Sequence, residues 1–354
     1  MDFIKSIFWN SEEARIKALW RLIAQGIVFL VLFVPLGIPV SFLTVVMMLG
    51  QQSDLSDPQS IERLMDPLAV ERFIAETPLL SGLYSLTVLI AILVSVWLVG
   101  RFLDRRRLAD FGLRLDRDWW IDFAFGLVLG GVLMLAVFLV ELALGWVAVQ
   151  DTFVTRDADA SFLIALLSPL ISFLAVGFYE ELFSRGYQLR NMAEGLNGSI
   201  VGRRGAIVLA AILSSLVFGL LHAANPNASW VSTLNLVLAG LMLLAMGVLL
   251  TGELAIPIGL HITWNFFQGN VFGFPVSGTD FRSATFIQIE QGGPEAWTGG
   301  AFGPEGGLIG LVAMALGALL TILWVRWRHG RAGLHLGLAE PPSGFEKGDG
   351  QAAA

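Results

Sequence analysis

Seven runs of this chain carry no Asp, Glu, Lys or Arg: 22 to 53, 77 to 100, 123 to 140, 160 to 179, 205 to 252, 254 to 279 and 306 to 325. A helix of about 20 residues crosses a bilayer. The run at 205 to 252 is long enough for two such helices, and Asn225, Pro226 and Asn227 break it. The chain therefore reads as an all-α polytopic membrane protein of eight transmembrane helices. Composition agrees, because a chain that is 55% hydrophobic and 14% charged is too apolar to hide its hydrophobic residues inside a water-facing globule. With no cysteine, disulfides, thiolate catalysis and thiolate metal ligation are excluded.

Loop charge gives the expected orientation. Lys5, Arg15, Lys17 and Arg21 precede the first run, six arginines from Arg101 to Arg117 follow the second, Arg190, Arg203 and Arg204 follow the fourth, and Arg326, Arg328 and Arg331 follow the last. The alternate loops, Asp54 to Glu76, Asp151 to Asp159 and Asp280 to Glu305, are acidic or neutral. Positive loops stay inside, so both termini are expected in the cytoplasm. Residues 1 to 21 read as an amphipathic segment on the membrane surface, and the apolar run behind them is too long for a cleaved signal peptide. Residues 22 to 100 then hold two spans, 276 to 306 an extracytoplasmic loop, 307 to 328 the last span, and 329 to 354 a cytoplasmic tail, read as disordered from Ala339 on. No basic patch with interleaved aromatics suggests nucleic acid. The oligomeric state is not encoded legibly.

Polar residues inside apolar runs are costly and therefore informative. Glu180, Glu181 and Arg185 close the run that starts near Ser161. On a helix Glu180 and Glu181 point about 100° apart, and Glu181 with Arg185, four apart, can pair, which leaves Glu180 as the free carboxylate. A carboxylate in low dielectric can serve as general base for water; the plainer reading is a helix leaving the membrane. Phe218 and His222 share a helical face, as do His261 and Asn265. The latter pair can hold an oxyanion, coordinate a metal or bridge two helices. Three such elements on late helices, with the other two histidines (His329 and His335) in the tail, point to one shared site. Glu141 and Glu253 lie near run ends and read as interfacial. Gly126, Gly130 and Gly131 fit close helix approach rather than a phosphate loop.

Glu180-Glu181-x-x-x-Arg185, Phe218-x-x-x-His222 and His261-x-x-x-Asn265, in this order, resemble the CPBP family of intramembrane proteases, which includes the type II CAAX prenyl endopeptidases and bacteriocin-immunity proteins. The flanks Leu108 to Arg114, Asn225-Pro226 and Thr251 to Leu260 are similar to that family's, and the resemblance covers roughly 101 to 275. It implies an intramembrane endopeptidase acting on a membrane-embedded or lipidated peptide. Glu180 would be the general base on water, His222 its assistant, and His261 and Asn265 the oxyanion stabilisers. Glu181, Arg185 and Phe218 would support the site. Zinc held by Glu180, His222 and His261 stays open beside a metal-free carboxylate mechanism. The flank pattern favours a bacterium, hence a multi-pass plasma-membrane protein for which prenylated CAAX proteins are an unlikely native target. Two other classes compete: a non-catalytic scaffold or immunity protein, and a proton-coupled transporter, which usually shows two related halves that are not visible here. One difficulty is geometric, since upright helices would put His222 near the outer end of its span and His261 near the inner end of its own.

Overall fold

The structure, a computed structural model, describes residues 6–11, 13–50, 62, 64–157 and 159–342. Seven helical segments among them are long and apolar enough to cross a membrane: Ala18–Gly50, Pro78–Asp104, Arg117–Ala143, Phe162–Leu196, Gly202–Ala224, Trp230–Thr251 and Leu308–His329. The chain is an all-α polytopic membrane protein. In chain order the α-helices are α1 (Ala18–Gly50), α2 (Pro67–Glu76), α3 (Pro78–Val99) and α4 (Arg117–Ala143), then α5 (Phe162–Glu181), α6 (Leu189–Leu196), α7 (Gly202–Leu221) and α8 (Trp230–Leu238). They are followed by α9 (Ala245–Thr251), α10 (Ala255–Phe266), α11 (Glu295–Thr298) and α12 (Leu308–His329). π-helical turns, Leu182–Gln188 and Ala239–Leu244, carry α5 into α6 and α8 into α9. The expected break in the 205 to 252 run is present: a 3-10 turn at His222–Ala224 closes α7, Asn225, Pro226 and Asn227 leave the helix, and α8 restarts behind the Ser229 cap.

The eighth expected crossing is a shorter, enclosed helix that runs from the end where Gly252 lies against His335 to the end where Gly273 lies against the Ile287 carbonyl. The run at 254 to 279 is helical only through α10 and a π turn to Val271, after which the chain leaves the helical path. Every residue from Ala255 to Ile262 is buried, so protein rather than lipid surrounds this helix. Its seating follows from glycine. A Cβ at Gly126 or Gly130 of α4 would collide with the Ile256 or Leu260 carbonyl, one at Gly259 with the Phe123 carbonyl, and one at Gly177 of α5 with Ile262. Small residues let helices approach backbone to backbone in a bilayer, where no hydrophobic force drives helices together. Thus α4 and α5 clamp α10 between them, as the glycines of the third run led one to expect.

At one end of the bundle the segments 144 to 161 and 272 to 307 are joined. Strand β3 (Val147–Thr155) pairs antiparallel with β4 (Ala284–Gln291), an extended ladder where the sequence suggests only a loop. The other end gathers the first strand pair and the segment behind the last helix. Strand β1 (Trp9–Asn10) pairs antiparallel with β2 (Arg15–Ile16), in place of a continuous amphipathic helix, because Arg15 is drawn to 1% exposure against Glu194 at 2.5 Å. Residues 1–5 and 12 of that expectation lie outside the described residues. The tail too is partly corrected: Leu338 and Ala339 are fully buried, His335 N–H donates to the Leu249 carbonyl, and Arg190 donates to the Gly337 carbonyl at 3.2 Å. The stretch 334 to 340 is therefore a docked strap, while residues 343–354 lie outside the described residues.

Candidate active site

Glu180 and Glu181 end α5, and the helix widens into its π turn instead of stopping. Widened turns of this kind are frequent at functional sites. The two side chains diverge as their helical spacing requires. Glu181 turns into protein, with a side chain of 0% exposure, and Glu180 faces a cavity at 20%. Glu181 Oε1 accepts from Arg185 Nη1 at 3.2 Å, the expected ion pair, and from His261 Nδ1 at 2.8 Å. A carboxylate only accepts, so His261 carries a proton on Nδ1 and turns Nε2 toward Glu180, whose Oε2 is 3.9 Å away. That oxygen is buried and meets no hydrogen-bond donor among the described residues.

Phe218 ties these groups together. Its ring lies 4.2 Å beneath the Arg185 guanidinium carbon, 4.7 Å from the His222 ring and 6.3 Å edge-on from the His261 ring. The same residue's carbonyl meets His222 Nδ1 at 2.7 Å, which fixes that proton and leaves Nε2 as the other acid-base atom. Room for Arg185 comes from Gly240, where a Cβ would sit 2.7 Å from Nη2. The depth difficulty is thereby met: α7 and α10 both start at the end that holds the strap, yet His261 of the short, enclosed α10 comes within 6.3 Å of the Phe218 ring in the last turn of α7.

Glu180, Phe218, His222, His261 and Asn265 all line one cavity of about 640 Å³, whereas Glu181 and Arg185 stand behind its wall. The side of this cavity is closed by Phe33 of α1, Val70 and Ile74 of α2 and Tyr84 of α3. Elements ahead of the motif-bearing region thus build part of the site. Among the described residues no three His, Asp or Glu side chains converge closely enough to hold a metal. The arrangement does not fit a three-ligand zinc site made of Glu180, His222 and His261, and no step below runs through one.

Two acids are placed differently from the sequence reading. Glu305, the last acid of the outer loop, is 3% exposed and lines the cavity; it accepts from Ser277 N–H, from Ser277 Oγ at 2.7 Å and from Trp264 Nε1 at 3.3 Å. Trp264 carried the only signal for it, because an indole N–H in an apolar helix needs an acceptor. Glu141, read as interfacial, is at 0% exposure, with Gln291 of β4 3.5 Å away. The β3–β4 ladder covers that end of α4. Glu253 does lie at a helix junction, paired with Arg114 at 2.8 Å.

Residues 162–267, which contain Glu180, Glu181, Arg185, Phe218, His222, His261 and Asn265, match the family model described as type II CAAX prenyl endopeptidase Rce1-like. The likeness to the Rce1-like family lies in this stretch. Outside comparison supplies less. The uncharacterized protein YyaK of Bacillus subtilis (strain 168) is 26% identical over 205 residues, which cover 56% of this chain and 63% of that protein. The chain therefore spans less than two thirds of that relative's length. No solved structure matches. The matched segment begins at α5 and ends in the π turn behind α10, so α4, which clamps α10, stands outside it.

Proposed function

We propose that the chain is an intramembrane endopeptidase that hydrolyses a peptide bond of a membrane-embedded or lipidated substrate. The Rce1-like match supports a CAAX-protease-like hydrolase at the family level. The observation that carries the finer reading is the pair formed by Glu180 Oε2 and His261 Nε2, 3.9 Å apart at the cavity wall. A gap of that size between two polar atoms suits a bridging water. Glu180 takes the proton of that water, and the oxygen attacks the substrate carbonyl carbon. The tetrahedral oxyanion accepts hydrogen bonds from His261, doubly protonated, and from Asn265 one turn further along α10. Glu180 then returns the proton to the leaving amine as the C–N bond breaks. Glu181 holds the His261 ring in register, Arg185 holds Glu181 while Phe218 backs Arg185, and His222 helps to orient and activate the water.

Alternating loop charge supports cytoplasmic termini, with the β3–β4 ladder on the outer face, in a bacterial plasma membrane. The deciding experiment compares cleavage of fluorogenic membrane peptides by detergent-purified wild type, Glu180→Ala and His261→Ala, with and without a chelator. Wild-type cleavage that falls at least 10³-fold in both variants is expected, with no loss on chelation. Unchanged rates in Glu180→Ala would remove this mechanism. A folded wild type that cuts nothing would leave the scaffold or immunity reading in its place.

A further inference from the structure

Besides Glu180, the acid that lines the cavity is Glu305, which lies beyond the matched segment on the short turn Pro304–Gly306. That turn is a firm base. Asn235 of α8 donates to the Gly307 carbonyl at 3.3 Å, and a Cβ at Gly310 of α12 would strike the Pro304 carbonyl. From this base the carboxylate reaches two other parts of the chain. Its Oε1 accepts from Ser277 N–H and from Ser277 Oγ at 2.7 Å, and its Oε2 accepts from Trp264 Nε1 at 3.3 Å. The two N–H groups can only donate, so they suit an acceptor-only carboxylate.

Each contact ends beside a residue of the site. Trp264 precedes Asn265 in α10, so a held indole fixes the rotation of the turn that presents Asn265 to the cavity. Ser277 passes the hold on: its carbonyl accepts from Asn225 Nδ2 at 3.0 Å, and Asn225 N–H donates to the His222 carbonyl at 3.1 Å. Ser277 is also strained, with φ at +47°. A left-handed residue other than glycine persists where its surroundings over-determine it, and such residues gather at functional sites. The surroundings here are Glu305, on the N–H and hydroxyl, and Asn225, on the carbonyl. We infer that Glu305 is a positioning residue of the hydrolytic site, which through Trp264 and Ser277 sets Asn265 against the turn that carries His222. This rests on the hydrolytic reading and adds to it a residue outside the three motifs.

Glutamine at this position keeps one acceptor oxygen but turns an amide N–H2 onto the other donors, so Glu305→Gln opens one arm of the clamp. Gln268 still donates to the Pro275 carbonyl and Gly278 N–H to the Phe302 carbonyl, contacts that keep the loop in place. Detergent-purified full-length protein is assayed on a membrane peptide that the wild type cuts. Glu305→Gln should lower kcat by roughly 30- to 100-fold with KM within about threefold, as misaligning a transition-state donor does. A smaller folded fraction would also lower kcat, so the same substitution is repeated in Asn265→Ala. There the further loss should shrink to at most about fivefold, because the group being aimed is gone, whereas a merely structural role costs the same factor in both backgrounds. Equal factors, a change confined to KM, or wild-type kcat in folded Glu305→Gln would each overturn the inference. If Glu305→Gln does not fold, Trp264→Phe, which keeps a ring and removes the N–H, takes its place in the same pair of backgrounds and is judged by the same outcomes. Cleavage that survives Glu180→Ala, or a folded wild type that cuts nothing, removes the hydrolytic reading and this inference with it. An enzyme that needs Glu180 yet is indifferent to Glu305 fails only here.

Discussion

Arg185 is a cation at 1% exposure whose ion-pair partner is Glu181, with the face of Phe218 completing its surroundings. The pair was legible in advance because residues four apart on a helix must meet. The hydrogen bond from His261 to Glu181 was not, since it spans 80 residues of sequence and depends on how α10 is seated. Glu253 illustrates a different balance. It lies outside the spans between α9 and α10, and burial raises its carboxyl to about 7, the largely exposed Arg114 opposing this only in part. An acid whose folded pKa is raised is penalised once ionised. The penalty is absent below about 4.5, grows as pH climbs toward 7 and is complete above it. The melting temperature should therefore fall between pH 5 and pH 8, and Glu253→Gln should flatten that slope. A variant with the wild-type pH profile would show that Glu253 is not responsible.

Among the elements, α10 decides the site, being short, fully enclosed and fixed by contacts at Gly126, Gly130, Gly177 and Gly259. Its glycine partners could be read from the third run, but not its enclosure. Apolarity alone does not separate a lipid-facing helix from one surrounded by protein. At Gly130→Ala the new methyl would strike the Leu260 carbonyl and Thr263 Oγ1. Overpacking of this kind costs about 1–3 kcal/mol. Displacing His261 by about 1 Å should lower kcat on the order of 100-fold in protein that still folds. The control is Gly26→Ala in α1, where a Cβ has open space; relief of the glycine penalty there should raise stability by about 0.5–1 kcal/mol. Equal effects at both positions would show that close packing at Gly130 does not matter.

Across the whole molecule the two ends hold different chemistry. The end with the strap is stapled by Glu194, which meets Arg15 at 2.5 Å, Arg21 at 3.2 Å and Arg106, while Arg21 also pairs with Asp104 at 2.7 Å. Arg106 donates onward to the Arg190-bound strap at the Glu340 carbonyl. This network ties α1, the turn after α3, α6 and the C-terminal strap into one body. Removing one member of a buried charge cluster typically costs about 3–5 kcal/mol. Glu194→Gln should accordingly lower the melting temperature by several degrees. Fourteen residues of helix, about 20 Å, separate it from Glu180, so KM for a cleaved peptide should not change. A KM shift with unchanged stability would mean that the two ends are coupled.

Length, apolarity and helical spacing are local properties, and they alone determined a membrane-embedded helical chain, the break at Asn225 to Asn227, the Glu181–Arg185 pair and the small residues that let helices touch. Contacts between distant parts of the chain have no such local signature. Arg15 finds Glu194 across 179 positions and Trp264 finds Glu305 across 41. Whether an acid near the end of an apolar run faces water, lipid or a cavity depends on which elements close over it. Glu141 was assigned to an interface and Glu305 to the outer loop by position, and both were buried by the segments folded against them. The tertiary structure decided that Glu180, His222, His261 and Asn265 share one cavity, that its wall is acidic, and that the tail is a strap, because the desolvation of each charge is settled only when its neighbours are in place.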